Sequence, residues 1–165
     1  KIPCILHLIR LGYAYLSLKD AIWDEETNIF PEIFRKAIAK INPGIEVDEI
    51  GRQLAEVKLL LDYEDLGNAF YEKLTERSGI RMIDFENFDN NSFHVVTELT
   101  CKKGDDEFRP DITLIINGMP LAFIESGRRA GGTQPHHHAQ PQSTLPSLHQ
   151  YHAADGFFKQ YGIRR

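Results

Sequence analysis

Two apolar runs on either side of an Asn-Gly dipeptide constrain the fold of this chain more than any other feature. Residues 111–116 and 121–125 are nearly continuous apolar runs, and Asn117-Gly118 between them is the strongest short hairpin signal in the sequence. A strand that is apolar on both sides belongs in a sheet whose two faces are covered. We therefore expect this hairpin in the middle of a covered sheet.

Helical periodicity dominates the first half of the chain. Apolar residues recur at helical spacing in four segments, and proline or glycine marks several of their ends. The predicted helices span residues 3–12, 31–41, 48–61 and 63–77. These helices are the natural cover for the hairpin.

From residue 80 onward the apolar residues follow the spacing of strands. The further candidate strands are residues 13–18, 80–85 and 92–101, and residues 102–107 are predicted to form a polar loop. This order of elements predicts an α+β or α/β domain, with a mixed central sheet and flanking helices.

The composition fits one ordinary globular domain. With 165 residues, of which 42% are hydrophobic and 26% charged, the chain is long enough to bury a core. No window approaches the roughly 20 apolar residues of a membrane span, so we expect a cytoplasmic chain without membrane contact. No Gly-x-x-x-x-Gly-Lys-[Ser/Thr] phosphate loop occurs, so ATP binding is not expected within these residues.

The charge is unevenly distributed along the chain. Residues 1–125 hold 14 Lys and Arg against 23 Asp and Glu, a net charge of −9, whereas residues 126–165 hold 5 against 1, a net charge of +4. An acidic body binds a polyanion poorly unless it has a local site, a bound cation or partner chains. Bulk charge alone therefore does not indicate a nucleic-acid-binding protein.

The two ends of the hairpin bring two carboxylates together. If residues 117–119 form a three-residue connection, Asp111 faces Glu125 across the strands. Opposed Cβ atoms lie roughly 4.5–5.5 Å apart, and two carboxylates that close repel unless a proton or a cation lies between them. Mg²⁺ is a natural occupant because it prefers hard oxygen ligands. The spacing alone leaves open that both acids simply mark strand ends in solvent.

The same segment carries a resemblance to a known family. Residues 109–125 contain an Arg-Pro-Asp start, an Asn-Gly-x-Pro-Leu turn and a terminal Ile-Glu in that order. This segment resembles the nuclease hairpin of the R (motor/restriction) subunit of type I restriction-modification enzymes. Residues 83–85, 90–93 and 95–100 resemble the segment that precedes it, and the likeness extends diffusely back to residue 1.

The resemblance implies a PD-(D/E)xK nuclease core with a restriction-endonuclease-like fold. It implies that Asp111 and Glu125 are catalytic Mg²⁺ ligands and that double-stranded DNA is the substrate. In the full enzyme of this family, cleavage of unmethylated foreign DNA is coupled to ATP-driven translocation by motor domains that this chain lacks. The methylation and specificity subunits of the type I complex are the implied partners.

Position 127 departs from the family motif. The family has a lysine two residues after the glutamate, on the same face of the strand, where its ammonium orients the attacking water and offsets charge on the phosphate. Here that position is Gly127, and the arginines that follow it cannot act as bases. We therefore expect this fragment not to cut DNA. The alternative function is a catalytically inactive, nuclease-like module for docking or DNA binding, and activity with added Mg²⁺ discriminates the two.

The composition changes abruptly after Glu125, where prolines, glutamines and three consecutive histidines replace the strand pattern. Shifting the codons of residues 149–163 by one nucleotide permits a β-branched strand and a Ser-Asn-Asn turn, as this family has after its nuclease helix. We predict three parts: residues 1–79 are the helical part of the nuclease domain, residues 80–125 its sheet and catalytic hairpin, and residues 126–165 an anomalous tail, out of frame relative to the family.

A zinc or nickel protein is the third functional hypothesis. Its candidate ligands are His136, His137, His138, His149 and His152. Adjacent histidines point in different directions on any regular element, so they form a poor metal cage. A metal analysis would decide this reading.

Overall fold

The computed structural model describes residues 1–62, 65, 67–103, 106–125 and 151–152. The helices within these ranges are α1 (Ile2–Arg10), α2 (Pro31–Ile41), α3 (Val47–Asp62), α4 (Asn68–Thr75) and a short 3-10 helix (Phe88–Asn90). The strands are β1 (Ala14–Tyr15), β2 (Phe93–Thr97), β3 (Cys101–Lys103), β4 (Asp106–Phe108), β5 (Ile112–Ile116), β6 (Met119–Ile124) and β7 (Tyr151–His152). In this part of the chain, no helix is long and apolar enough to cross a lipid bilayer.

The hairpin strand β5 is the middle strand of a five-stranded sheet, in the order β1-β2-β5-β6-β7. Strand β1 runs parallel to β2, and the other neighbouring strands are antiparallel. The sheet is therefore mixed. Ile112, Thr113 and Ile115 of β5 are fully buried, which confirms the expectation of a central hairpin covered on both sides.

Side chains of β2 and β5 alternate between the two faces of this sheet, and both faces are apolar. Helices and loops cover each face and form one apolar cluster with it. Ile112 and Leu114 point to one face and pack with Leu8 of α1. Ile115 points to the other face and packs with Phe30, at the start of α2. A third cluster joins the helices to each other, and it contains Phe34, Ile38, Ile50, Val57, Phe70 and Met119.

The hairpin turn differs from the expected three-residue connection. Ile116 pairs with Met119, so Asn117-Gly118 is a two-residue turn with positive φ at both positions, 51° and 81°, as in a type I′ turn. Below the turn the register shifts, because β6 has one extra residue, Leu121, at a bulge. Pro120 precedes this bulge and has no N–H to donate to the ladder, which is consistent with the irregular pairing there.

The buried side chain of Asn117 fastens this turn to the rest of the domain. Its Nδ2 donates to the carbonyl oxygen of Met82 at 2.8 Å and to Oδ1 of Asn91 at 2.9 Å. Its Oδ1 accepts from the backbone N–H of Ser92 at 2.8 Å. These three bonds join the turn to residues 82, 91 and 92 and so fix its position relative to that segment.

The predicted strand at residues 80–85 is wrong: this segment is irregular. Asparagine side chains take the place of a neighbouring strand, because Asn42 bonds to both backbone groups of Arg81 and Asn91 bonds to both backbone groups of Asp84. Backbone groups satisfied in this way do not need a sheet partner. The segment is therefore held in place without belonging to the sheet.

Other boundaries also differ from the expected ones. The predicted loop at residues 102–107 is wrong in part, because strands β3 and β4 extend into it from both ends and pair as a two-stranded ribbon. The predicted strand at residues 92–101 is interrupted by Glu98, whose φ of 58° breaks the extended backbone between β2 and β3. The strand predicted at residues 13–18 covers only Ala14–Tyr15. By contrast, helix α2 begins and ends where the sequence predicts.

We expect the buried Asp84 carboxylate to make stability depend on acidity. Asn90 Nδ2 donates to Asp84 at 2.8 Å, and this bond together with two backbone N–H groups lowers the pKa of Asp84. A carboxyl whose pKa is lower in the folded state stabilises the fold above its unfolded pKa of about 3.9, and this stabilisation is lost as the pH falls through the folded value. Asp84→Asn should therefore be less stable than wild type at neutral pH, and the gap should narrow in acid. Urea unfolding at neutral and at acidic pH measures the difference in free energy of unfolding between wild type and Asp84→Asn, with the exposed Asp89→Asn as control. A difference that does not change with pH would contradict a stabilising role for the Asp84 charge.

Candidate functional site

Asp111 and Glu125 lie at the open end of the central hairpin, away from its turn. Asp111 directly precedes β5 and Glu125 directly follows β6. The last strand pairs are Thr113 with Phe123 and Ile112 with Ile124. One further step in this register sets Asp111 opposite Glu125, and strand alternation puts both on the face of Thr113 and Phe123. Asp111 is half-buried, with 21% of its side chain exposed, and Glu125 is exposed.

The side chain of Lys1 reaches Asp111 from the start of the first helix. Lys1 Nζ lies 2.7 Å from Asp111 Oδ1 and 3.0 Å from Glu98 Oε1. These two carboxylates, Asp111 first and Glu98 second, raise the pKa of the Lys1 ammonium. Lys1 is therefore a fixed positive charge at the open end of the hairpin.

Glu98 adds a third carboxylate to this end of the sheet. The pair Thr97 with Ile112 ends the ladder between β2 and β5, so Glu98 follows on the level of Asp111. The Glu98 carboxylate forms ion pairs with Lys1 and with Arg109, and these two cations lower its pKa, Lys1 having the larger effect. The acids next to the ends of β2, β5 and β6 are therefore placed on one level, and Lys1 contacts both Glu98 and Asp111.

The β3–β4 ribbon packs next to these acids. The rings of Phe108 and Phe123 lie 5.0 Å apart at an angle of 59°, and Phe123 precedes Glu125 by two residues. Pro110, between Arg109 and Asp111, is buried. The ribbon and the buried proline thus fix the backbone on which Arg109 and Asp111 stand.

The donor chemistry of Asp111 and Glu125 fits a small divalent cation. Mg²⁺ usually binds through one or two carboxylates, retains several waters and takes further oxygen ligands from a phosphate. Within the described ranges, no group of three or more His, Cys, Asp or Glu side chains is arranged to hold a metal. An ion at this site would therefore depend on the two carboxylates together with water or a substrate.

Several sequence-based candidates lie outside the described residues. Gly127 and the two arginines after it belong to residues 126–150, as do four of the five tail histidines. Of the tail, strand β7 pairs with the end of β6, where Tyr151 is opposite Ile124. The predicted division of the chain at residues 79 and 125, and the out-of-frame reading of the tail, stay predictions.

Sequence reasoning missed the cations around Asp111. Arg109 belongs to the Arg-Pro-Asp start, and Glu98 belongs to the segment that precedes it. Neither sequence pattern indicates that Arg109 and Glu98 form an ion pair. No local signal connects Lys1 with Asp111, because the contact depends on how α1 packs on the sheet. A prediction that residues 93–97 pair with the hairpin would have placed Glu98 beside Asp111.

A mixed sheet with helices on both faces, built around this hairpin, defines an α+β domain of the restriction-endonuclease-like class. A family model described as "Type I restriction enzyme R protein N terminus" matches residues 1–163. The chain belongs to this family. No solved structure matches it.

Curated relatives of the chain are endonuclease subunits of type I restriction enzymes. It is 26% identical to the putative MjaIXP endonuclease subunit of Methanocaldococcus jannaschii over 191 aligned positions, which cover 96% of this chain and 18% of that protein. It is 38% identical to the putative MjaVIIP endonuclease subunit of the same organism over 66 residues, 40% of this chain and 6% of that protein. The HindI endonuclease subunit of Haemophilus influenzae is 29% identical over 147 residues, 72% of this chain and 14% of that protein. The chain thus spans less than a fifth of the length of these relatives.

Proposed function

We propose that this chain is the Mg²⁺-dependent DNA endonuclease region of a type I restriction enzyme R subunit. The observation that carries the proposal is the strand register, in which one step beyond the last pairs sets Asp111 opposite Glu125 on one face of the central hairpin. Membership of the R-protein family supports it, because relatives of the chain are named as endonuclease subunits.

In this proposal Asp111 and Glu125 hold the metal and bring it to the DNA backbone. A bound Mg²⁺ would stabilise charge on the phosphate and lower the pKa of a bound water. Asp111, held by the buried Pro110 and the end of β5, supplies the rigid ligand, and the exposed Glu125 the more adaptable one. The acidic body of the chain makes this local cation important, since a net charge of −9 over residues 1–125 repels DNA elsewhere.

The wider activity belongs to the complete enzyme. Cleavage of unmethylated double-stranded DNA, ATP-driven translocation by motor domains, and assembly with methylation and specificity subunits are proposed for that protein, of which this chain spans a small part. The proposal assigns to the region described above the metal-binding carboxylates at which the complete enzyme would hydrolyse the phosphodiester.

A catalytically inactive, nuclease-like module is the second candidate, and Gly127 favours it. Without the family lysine at this position, the attacking water has no ammonium beside Glu125 to orient it. We therefore expect the chain as it stands not to nick plasmid DNA in Mg²⁺. Robust nicking that disappears in Asp111→Asn would overturn this expectation of inactivity and support the active endonuclease.

We expect the full chain to bind one Mn²⁺, used as a probe for Mg²⁺, and Asp111→Asn to lose most of this affinity. Removing a carboxylate from a site with two protein ligands takes away half of its protein donors and half of its charge. Isothermal titration calorimetry measures the affinity. The control is Asp48→Asn, which removes an exposed carboxylate from the first turn of α3. Equal binding by Asp111→Asn and Asp48→Asn would refute the metal site.

A further inference from the structure

Lys1 forms an ion pair with Asp111, the carboxylate that the proposed metal ion would also bind. We propose that Lys1 and a divalent cation compete for Asp111, and that Glu98 retains the displaced ammonium, which then binds a DNA phosphate beside the metal. This inference rests on the proposed metal site at Asp111 and Glu125.

The competition follows from the position of the ammonium. Lys1 Nζ is 2.7 Å from Asp111 Oδ1, the distance of a direct charge-assisted hydrogen bond. A divalent cation on the same carboxylate would stand within a few ångströms of this ammonium, and like charges at that separation repel strongly. Binding of a metal ion to Asp111 therefore weakens the hydrogen bond between Lys1 and Asp111.

Glu98 keeps the ammonium from leaving the site. Its carboxylate lies 3.0 Å from Lys1 Nζ, so the ammonium has a second anchor when Asp111 is taken. An ammonium has three N–H donors. The N–H of Lys1 that no longer donates to Asp111 can donate to another oxygen. Arg109 is anchored on the same Glu98, so two cations stand next to the proposed metal. A phosphate is the anion that a metal-bound carboxylate pair and two neighbouring cations would recognise.

The contact is accessible to a metal and to DNA. The side chains of Lys1 and Glu98 are 37% and 48% exposed. A purely structural surface ion pair would contribute little to stability, and its loss would weaken, or leave unchanged, the binding of both ligands. A competing ammonium gives a different result, because its removal should strengthen metal binding and weaken DNA binding.

The first arm of the test measures Mn²⁺ binding to the full chain by calorimetry. Lys1→Gln is expected to bind Mn²⁺ about two- to fivefold more tightly than wild type, the range for loss of one partly exposed charge interaction. Lys1→Arg keeps the charge and should stay close to wild type. Lys36→Gln, on an exposed position of α2, is the control for the change in net charge.

The second arm measures binding of a short DNA duplex in the presence of Ca²⁺, chosen to hold the site without supporting cleavage. Lys1→Gln should bind more weakly and lower the slope of log K against log salt by about 1, the effect of losing one phosphate contact. Glu98→Gln should show the same loss, because it releases the ammonium from its anchor. Lys36→Gln should leave the slope unchanged.

Opposite signs of the Lys1→Gln effect in the two arms support the proposal. If Mn²⁺ binds at Asp111 but Lys1→Gln binds it no more tightly than Lys36→Gln, competition is refuted while the metal site stands. If Mn²⁺ affinity is the same in wild type and Asp111→Asn, both the metal site and the competition are refuted. An unchanged DNA slope in Lys1→Gln refutes the phosphate contact.

Discussion

Replacing Gly118 by alanine is expected to destabilise the domain by about 3 kcal/mol, the range for strained backbone combined with a core clash. The φ of Gly118 is +81°, and a Cβ there would lie 2.6 Å from the backbone nitrogen of Phe34 and 2.7 Å from the carbonyl oxygen of Phe30. Both contacts are with backbone at the start of α2, which cannot turn away as a flexible side chain would. The hairpin would have to separate from the helix.

Gly79 provides a matched control for this prediction. Its φ is +82°, and a Cβ there would meet nothing within 4 Å. Gly79→Ala should therefore show only the cost of a left-handed alanine, roughly 1–2 kcal/mol. Urea unfolding of the two variants isolates the clash as the difference between their free energies of unfolding. Equal losses would mean that the approach of the turn to α2 does not constrain the domain.

The turn and the acids are the two ends of one rigid unit. The backbone N–H of Phe30 donates to the carbonyl oxygen of Gly118 at 2.8 Å, which anchors the turn on the start of α2. Strands β5 and β6 then extend to Asp111 and Glu125 at the other end. The contacts of the turn with α2 therefore explain the Asn-Gly pair in the family-like motif. The metal binding proposed for the open end explains Asp111 and Glu125.

The register of the strands below the bulge was predictable although the predicted turn was wrong. A three-residue connection and a two-residue turn followed by a one-residue bulge displace the strands equally below the bulge. Leu114 therefore pairs with Ala122 and Ile112 with Ile124, as a three-residue connection requires. The local sequence identified the turn at Asn117-Gly118, whereas the bulge depends on how Pro120 meets β5.

Other features depended on contacts between distant residues. The apolar residues at 80–85 have strand spacing, but the amides of three asparagines bind backbone groups of this segment in place of a neighbouring strand. Asn42 binds Arg81, Asn117 binds Met82 and Asn91 binds Asp84. Those side chains lie far from the segment or beyond its end in sequence, so periodicity alone could not reveal them. The contact of Lys1 with Asp111 is likewise a product of tertiary packing, and it places a positive charge at the candidate site.

Asn117→Asp is expected to destabilise the domain by about 3–5 kcal/mol at neutral pH, the range for an uncompensated buried charge. Aspartate has nearly the same shape as asparagine, so packing is preserved and only hydrogen-bonding character and charge change. The two Nδ2 donations to Met82 and Asn91 are replaced by oxygens that face other oxygens. The residue is fully buried, so water does not relieve this repulsion.

The pH dependence distinguishes this mechanism from a packing defect. Burial raises the pKa of an introduced aspartate above its unfolded value of about 3.9. The loss should therefore be greatest above the raised folded pKa and diminish as the pH falls toward the unfolded value, where the carboxyl is protonated in both states. Chemical unfolding of Asn117→Asp at neutral and acidic pH measures this. The control is the exposed Asn68→Asp, which loses one bond to Glu72 and sets two carboxylates four residues apart, and which should stay within about 1 kcal/mol of wild type. A loss below about 1 kcal/mol at neutral pH would show that the Asn117 bonds do not hold the hairpin in place.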